Sequence, residues 1–342
     1  MHRKFDRPAI DMSGKSVLVT GGTGSFARAF VETLLTKNAP RRLVVFSRDE
    51  QKQDTMAREI NAAHPKLADR MRFFIGDVRD LSRLELAMRD IDYVVHAAAI
   101  KIIPIAEYNP FETILTNVHG AENVVKAALR NKVSRVVALS TDKAANPINL
   151  YGASKLASDK IMVAANNLSG SQGTKFSVVR YGNVIGSRGS VVPLFEGMIK
   201  KGVKALPITD PRMTRFWITL EQGVQFVLSS LGLMNGGELF VPKIPSMRMT
   251  DLARAMAPNL PHDIVGIRPG EKLHEEMIAS DDSRRTLRFA DRYVVQPVAA
   301  SWGYKAPVGG EEVADGFNYR SDNNDLWLGI EDMRALLAAE EK

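Results

Sequence analysis

The 342-residue sequence contains no cysteine. Without thiols the chain forms no disulfide, holds no metal through thiolate and has no cysteine nucleophile, a composition that fits the cytoplasm. It also lacks any apolar run approaching the ~20 residues that a membrane-spanning helix needs. The basic start, MHRKFDRPAI, has no apolar stretch behind it to make a secretion signal. The six histidines, His2, His64, His96, His119, His262 and His274, show neither HxxxH nor HExxH spacing, so no metal site is expected. The net charge of +7 is spread along the chain, with no dense Lys/Arg run interleaved with aromatics. That disfavours a nucleic-acid partner and suits a pocket for anionic small molecules. Internal repeats and low-complexity tracts are absent as well. What remains is an ordinary globular composition, 45% hydrophobic and 25% charged, long enough for one large or two smaller domains.

Within that frame, strand and helix patterns alternate. Residues 15–20 (KSVLVT) read as a strand that feeds Gly21, Gly22, Thr23, Gly24, Ser25, Phe26 and Ala27, then an apolar-periodic helix. Strand, glycine loop and helix start form the arrangement in which backbone N–H groups and the helix dipole hold a pyrophosphate. Gly21 would permit the tight turn and Gly24 the close approach of phosphates, with Ala27 where such patterns often end in glycine. A second strand, 43–46, ends in Ser47, Arg48, Asp49 and Glu50, with Lys52 one helical turn on. Cations at that tip suit the 2′-phosphate of NADP rather than the ribose hydroxyls of NAD. The plainer alternative is a charged helix start in which Asp49 and Glu50 complement the dipole. A third strand, 71–75, ends in Gly76, Asp77 and Val78, an acid-then-apolar pair able to frame an adenine. A fourth, 91–96, ends in Ala97, Ala98 and Ala99, small enough for a dinucleotide to lie on the sheet edge, and Lys101 follows. A long helix over 107–130 carries Asn117 as a polar interruption.

The fifth strand, 136–139, breaks on Ser140, Thr141, Asp142 and Lys143, loops through Asn146-Pro147 and enters a helix carrying Tyr151 and Lys155. Residues four apart share a helix face, so the phenol and the amine can present their tips together. A cation beside a phenol favours the phenolate, so Lys155 is expected to lower the pKa of Tyr151. A sixth strand, 176–180, ends in Tyr181, Gly182, Asn183 and Val184. Alternating strands and helices predict an α/β fold with a doubly wound parallel sheet. Residues 1–12 are expected to be a mobile tail and 13–182 the dinucleotide-binding domain, with 213–236 packing back onto it. Residues 183–212 and 237–342 are expected to make a smaller substrate domain whose polar groups include Arg188, Thr209, Asp210, Arg212, Arg215, Arg268, Glu271 and Lys272.

With TGGTGSFA at 20–27, STDKA at 140–144 and YGASK at 151–155, the chain resembles the extended short-chain dehydrogenases/reductases. More narrowly it resembles the inverting UDP-N-acetylglucosamine 4,6-dehydratases that begin pseudaminic acid synthesis. AAAIKIIPIAEYNP at 97–110, RYGNVIGSRGSVVPLF at 180–195, TDPRMTRFW at 209–217 and RPGEKLHEEM at 268–277 extend the resemblance from about residue 13 to the end. Asp142-Lys143 marks the inverting group, where retaining relatives have Asp-Glu; Tyr151 stands where relatives that also epimerise C3 often carry Met. The resemblance implies a resident NADP, UDP-N-acetylglucosamine as substrate, a homo-oligomer, and no membrane domain. It implies that Tyr151 deprotonates the 4-hydroxyl while Thr141 holds that oxygen. Lys143, made neutral by burial and nearby positive charge, would take the C5 proton, and Asp142, buried, would protonate the departing 6-hydroxyl. Cofactor contacts are implied for Thr20, Ser140, Tyr181, Asn183, Val184, Lys101 and Asn117 beside the groups already named. Substrate contacts are implied for Lys101, Asn183, Val192, Thr209, Arg215 and Arg268, with Glu271 on the uridine ribose. Two other readings stay open, a nucleotide-sugar C4-epimerase and a non-catalytic NADP-binding sensor. The first needs no Asp–Lys pair; the second needs none of the five residues Thr141, Asp142, Lys143, Tyr151 and Lys155.

Overall fold

Near-continuous runs of β-branched and aliphatic residues make strands that are apolar on both faces, as a sheet covered by helices on both sides requires. In the computed structural model, which describes residues 4–5, 10–169 and 173–340, these runs form β1 (Ser16–Thr20), β2 (Arg42–Ser47), β3 (Met71–Ile75), β4 (Tyr93–His96), β5 (Arg135–Thr141) and β6 (Lys175–Tyr181). They lie parallel in the order β3-β2-β1-β4-β5-β6. The order reverses between β1 and β4, and ligands of doubly wound sheets bind outside the strands' carboxyl ends at such a switch point.

Beyond β6 the sheet continues with Leu239–Pro242, parallel, and then Arg292–Val295, Thr286–Arg288 and Glu311–Glu312, all antiparallel, to ten strands. Four strands of the 237–342 segment therefore extend the first sheet, where the sequence pattern places the segment in the second domain. Short strands with Gly/Pro-rich turns hide this, because nothing local distinguishes an edge strand of one sheet from that of another. The helix Leu220–Leu233 buries Val224, Phe226, Val227 and Leu231 in the same core. Phe5 meets Phe226 edge-on at 5.1 Å, and both Phe5 and Met12 are fully buried. These two residues are anchored, contrary to the expected mobile tail; Lys4 is exposed, and residues 1–3 and 6–9 lie outside those described. A second, smaller core gathers Val192, Phe195, Leu206, Trp217, Met247, Leu252 and Met333.

The expected continuous helix over 107–130 is instead broken. Ile103–Tyr108 stops at Asn109, Pro110–Ile114 restarts, and a wide-turn segment Leu115–His119 leads into Gly120–Arg130. Proline at the first helical position explains the restart, and the wide turn places Asn117 inside. Among the described residues no helix is long and apolar enough to cross a membrane.

Candidate active site

At the carboxyl end of β1 the chain turns at Gly21, whose φ of +64° is left-handed. A Cβ there would stand 2.9 Å from the Ala98 backbone, and one on Gly22 would stand 2.8 Å from Val45. These two glycines are required by the protein's own packing. Gly24 is different: its φ is −72° and an added Cβ would meet only the Gly21 carbonyl, at 3.3 Å. It precedes helix α1 (Ser25–Lys37), whose first turn has no side-chain cap. Open space before uncapped N–H groups fits an anion, so the residues present suit the pyrophosphate of a dinucleotide. Arg188 reaches over this turn, its backbone N–H donating to Ser25 Oγ at 3.2 Å. Phe26 lies against Phe30 and Tyr181, at 5.7 and 6.3 Å between ring centroids. Thr20 turns inward, taking N–H groups of Ala97 and Ala98 and pairing with His96 Nδ1 at 2.7 Å.

Two cations stand at the tip of β2. Arg48 lies 3.4 Å from Asp77, and Lys52 lies 2.5 Å from Asp49, which also caps helix α2 (Glu50–Ala63). Burial pushes the Asp77 carboxyl up, but Arg79 and Arg48 outweigh it and hold the group below the usual carboxylate range. Ser47 accepts from Gln53 and from Thr23. Asp49 is engaged with its own helix and Lys52, so this end presents positive groups and a hydroxyl, which fit a phosphate on the ribose. Val78 is buried beside Gly120.

β5 ends at Thr141, and Asp142–Ala144 form a single 3-10 turn capped by the Thr141 hydroxyl. On a strand, adjacent side chains point to opposite faces; the turn removes that conflict and brings Asp142 and Lys143 together. Thr141 Oγ1 donates to Asp142 Oδ1 at 2.9 Å, and Lys143 Nζ donates to the same oxygen at 3.0 Å. Asp142 is 1% exposed, and its Oδ2 is buried without a partner. Tyr151 sits in the first turn of the helix Leu150–Ala164, which Asn149 caps, close enough for Thr141, Asp142 and Lys143 all to act on its phenol. Four of the five expected catalytic groups therefore converge, and Lys155 is buried one helical turn along.

The electrostatics correct two expectations. Burial raises the Tyr151 phenol to about 12, and the cation that opposes the rise is Lys143 rather than Lys155. Burial lowers the pKa of Lys155, Asp159 raises it in part, and Lys155 in turn disfavours charge on His96, whose own burial leaves it neutral with a pKa of about 3. Lys143 is not a neutral amine. Burial pulls its pKa down, but Asp142 and a second carboxylate, Glu275 at 3.3 Å, overcome this and hold it protonated above the ordinary lysine value.

Several expected contacts face inward. Ser140 Oγ donates to Asp159 at 2.7 Å. The Asn117 amide is fully engaged, bonding Ile100 N–H and carbonyl and Ser154 Oγ, so it clamps the loop after β4 to the Tyr151 helix. Val192 is fully buried in the smaller core, where it contacts protein rather than substrate. Arg215, expected on the diphosphate, donates to the carbonyls of Thr214, Leu273 and Lys272 and lies 3.7 Å from Glu275. With its terminal nitrogens on backbone carbonyls and Nε towards Glu275, Arg215 leaves Arg268 as the open cation of that set. Arg268 is exposed and 3.8 Å from Glu271, whose buried Oε2 has no partner. Lys101 lies exposed on the loop after β4, and Thr209 is half-buried. Asn183 and Val184 pair through their backbones with Trp217 and Ile218. Sequence reasoning missed Glu275, Asp159 and Arg180. Asp159 and Arg180 form a buried pair at 3.0 Å beneath Ser140. Its one sequence signal was spacing, Asp159 lying four residues beyond Lys155.

A glycine turn before an uncapped helix and a Thr–Tyr–Lys set at the carboxyl ends of a doubly wound sheet define an extended short-chain dehydrogenase/reductase. Residues 17–297 match the family described as "Polysaccharide biosynthesis protein", and the chain belongs to that family. Over 334 residues, 94% of this chain and 97% of the relative, it is 55% identical to a Campylobacter jejuni protein named UDP-N-acetylglucosamine 4,6-dehydratase (inverting). A Rickettsia canadensis protein named UDP-glucose 4-epimerase is 39% identical, over 94% of this chain and 95% of that one. The X-ray structure of Pen from Bacillus thuringiensis superposes with a TM-score of 0.88 at 35% identity, covering 97% of this chain and 99% of that chain.

Proposed function

We propose that this chain is a hydro-lyase, an NADP-dependent UDP-N-acetylglucosamine 4,6-dehydratase that inverts C5, acting at the first step of pseudaminic acid synthesis. The carrying observation is the turn after β5, where a buried carboxylate and an amine lie 3.0 Å apart beside Thr141 and Tyr151. A C4-epimerase, the activity in the Rickettsia relative's name, has no use for that second pair. The name of the Campylobacter relative supports the substrate.

Bound NADP would accept hydride from C4 and return it to C6. Tyr151, once its phenol has released its own proton to solvent, takes the proton of the 4-hydroxyl as a phenolate, with Lys143 opposing the burial that disfavours that charge and Thr141 holding the oxygen in line. The resulting 4-keto group acidifies the C5 proton, which Lys143 removes while Asp142 protonates the departing 6-hydroxyl. The resting ion pair is the proton isomer of that working pair. Moving one proton from Lys143 Nζ to Asp142 Oδ1 yields a neutral amine and a carboxylic acid without exchange with solvent. Elimination then leaves the C5 proton on Lys143 and the Asp142 proton in water, which restores the ion pair. A solvent proton delivered to C5 on the opposite face, with Tyr151 returning the 4-hydroxyl proton to solvent, gives UDP-2-acetamido-2,6-dideoxy-β-L-arabino-hexos-4-ulose with no net redox change.

Arg48, Lys52 and Ser47 would hold the 2′-phosphate, and Arg268 and Glu271 the diphosphate and uridine ribose, with Lys101, Thr209 and Asn183 nearer the sugar. We read the protein as a cytoplasmic homo-oligomer. Tyr108 and Phe111, 87% and 83% exposed, supply aromatic surface on the helices after β4 that a second copy would cover. The test is NMR of the protein with UDP-N-acetylglucosamine in deuterated water. A 6-deoxy-4-keto product deuterated at C5 with L-arabino configuration is expected; a D-xylo product would overturn the inverting assignment, and a 4-epimer would overturn dehydration.

A further inference from the structure

Glu275 belongs to none of the cofactor or substrate contacts above, yet it is among the most buried charges in the protein. Its side chain is 3% exposed; Oε1 stands 3.3 Å from Lys143 Nζ and 3.7 Å from Arg215 Nε, and Oε2 has no partner. The backbone on either side is fixed, because Glu275 N–H donates to Ser321 Oγ and the Ser321 N–H donates to the Glu275 carbonyl. Burying a carboxylate is costly unless a cation answers it. Arg215 answers it only through Nε, since its terminal nitrogens donate to three backbone carbonyls. The nearer cation is Lys143.

The same segment is stitched to the catalytic turn. Lys272 Nζ donates to the Ala145 carbonyl at 2.7 Å, Asn146 donates to Glu276 at 2.5 Å, and Asn149 donates to the Gly270 carbonyl at 2.8 Å. These bonds hold Glu275 against Lys143.

We propose that Glu275 is a positioning residue of the elimination step, which fixes the Lys143 amine and, with Arg215 partly screening it, sets how tightly that amine keeps its proton. This rests on the reading in which Lys143 is the C5 base. The charged and titratable groups facing Lys143 are Asp142 on its own turn, Tyr151 from the helix Leu150–Ala164, Glu275 and Lys272 from the 268–276 segment, and Arg215 from Thr214–Ile218. Asp142 and Glu275 strengthen its hold on the proton; Arg215 and burial weaken it.

The working Asp142–Lys143 pair carries one proton. A second one arrests it at low pH, and loss of the last one arrests it at high pH. Removing a neighbouring anion makes every proton on the pair easier to lose, so both limbs of the kcat profile move to lower pH. The experiment compares wild type, Glu275→Gln and Glu275→Asp. Glu275→Gln is expected to shift both limbs down by about one to two pH units, with KM for UDP-N-acetylglucosamine unchanged. Glu275→Asp keeps the charge and should stay near the wild-type limbs. Unmoved limbs in the Gln variant, or an Asp profile displaced as far as the Gln one, would overturn the proposal. A second readout needs no turnover. In protein labelled with 15N-lysine and free of substrate, the Lys143 ammonium signal should persist to higher pH in wild type than in Glu275→Gln. Equal persistence overturns the role of Glu275 whatever the activity. A difference in persistence with no product from UDP-N-acetylglucosamine supports that role and instead rejects the dehydratase reading.

Discussion

Replacing Lys143 with methionine keeps most of the apolar stem and removes the ammonium with its hydrogen bond to Asp142. The ammonium lies 3.0 Å from Asp142 and 3.3 Å from Glu275. At an effective dielectric of about 20 those contacts amount to roughly 5.5 and 5 kcal/mol of gross attraction, most of it offset by the loss of hydration. Removing one partner of a buried pair costs about 3–5 kcal/mol. Lys143 retains 21% exposure, which places the expected loss near the lower end, about 3 kcal/mol. Its pH dependence has a definite sign. The folded-state pKa of Lys143 is raised above 10.5, so its stabilisation is complete below that pH and is lost only as the pH climbs through the folded value. The stability gap between variant and wild type should therefore be flat across neutral pH. Catalytically, losing a general base costs roughly 10²–10⁴-fold in rate. The assay pairs chemical denaturation across pH with NMR of substrate in deuterated water, reading deuterium at C5 and a methyl at C6. UDP binding, followed by calorimetry, should stay near wild type. Turnover within tenfold of wild type, or C5 exchange at the wild-type rate, would refute the assignment of Lys143 as base.

Gly21→Ala should destabilise the protein by more than the ~1–2 kcal/mol of left-handed backbone, because its Cβ also meets the Ala98 backbone. Gly24→Ala should leave the melting temperature within a few degrees of wild type and still weaken cofactor binding, seen as reduced NADP content after purification; intact NADP binding would argue against the pyrophosphate lying there. Arg48→Ala should weaken NADP about 10–100-fold, the worth of one charge-assisted contact, and leave NAD nearly unchanged in fluorescence titrations. Asp159→Asn breaks the buried pair with Arg180 and should lower stability by about 3–5 kcal/mol in urea titrations, an effect absent if the pair were solvated.

The first parts of the fold to be legible were those whose residues satisfy one another locally. Strands β1, β2, β4, β5 and β6 announce themselves as largely apolar runs because both their faces are covered; β3, at the sheet edge, is partly exposed. The glycine turn is readable because left-handed backbone and close strand contact restrict residue choice at Gly21 and Gly22. The helix period puts Tyr151 and Lys155 on one face, but the cation that acts on the phenol is Lys143, which helix spacing does not reveal. The C-terminal strands were not, since short polar-edged strands carry no mark of the sheet they join.

Chemistry followed the same division. The chain by itself determined which groups are available at the end of β5 and their order; that Asp142 and Lys143 lie together depends on the turn that ends the strand. Only the tertiary structure decided their charge states and directions. Glu275 and Arg215 reach Lys143 from distant segments, so the residue expected to be a neutral amine is held as an ammonium. Arg215, Asn117 and Ser140 turn inward because buried carbonyls and carboxylates there must be satisfied. Local spacing sets where a side chain starts. The counter-charges and the loss of water that set its proton come from parts of the chain that meet it only after folding.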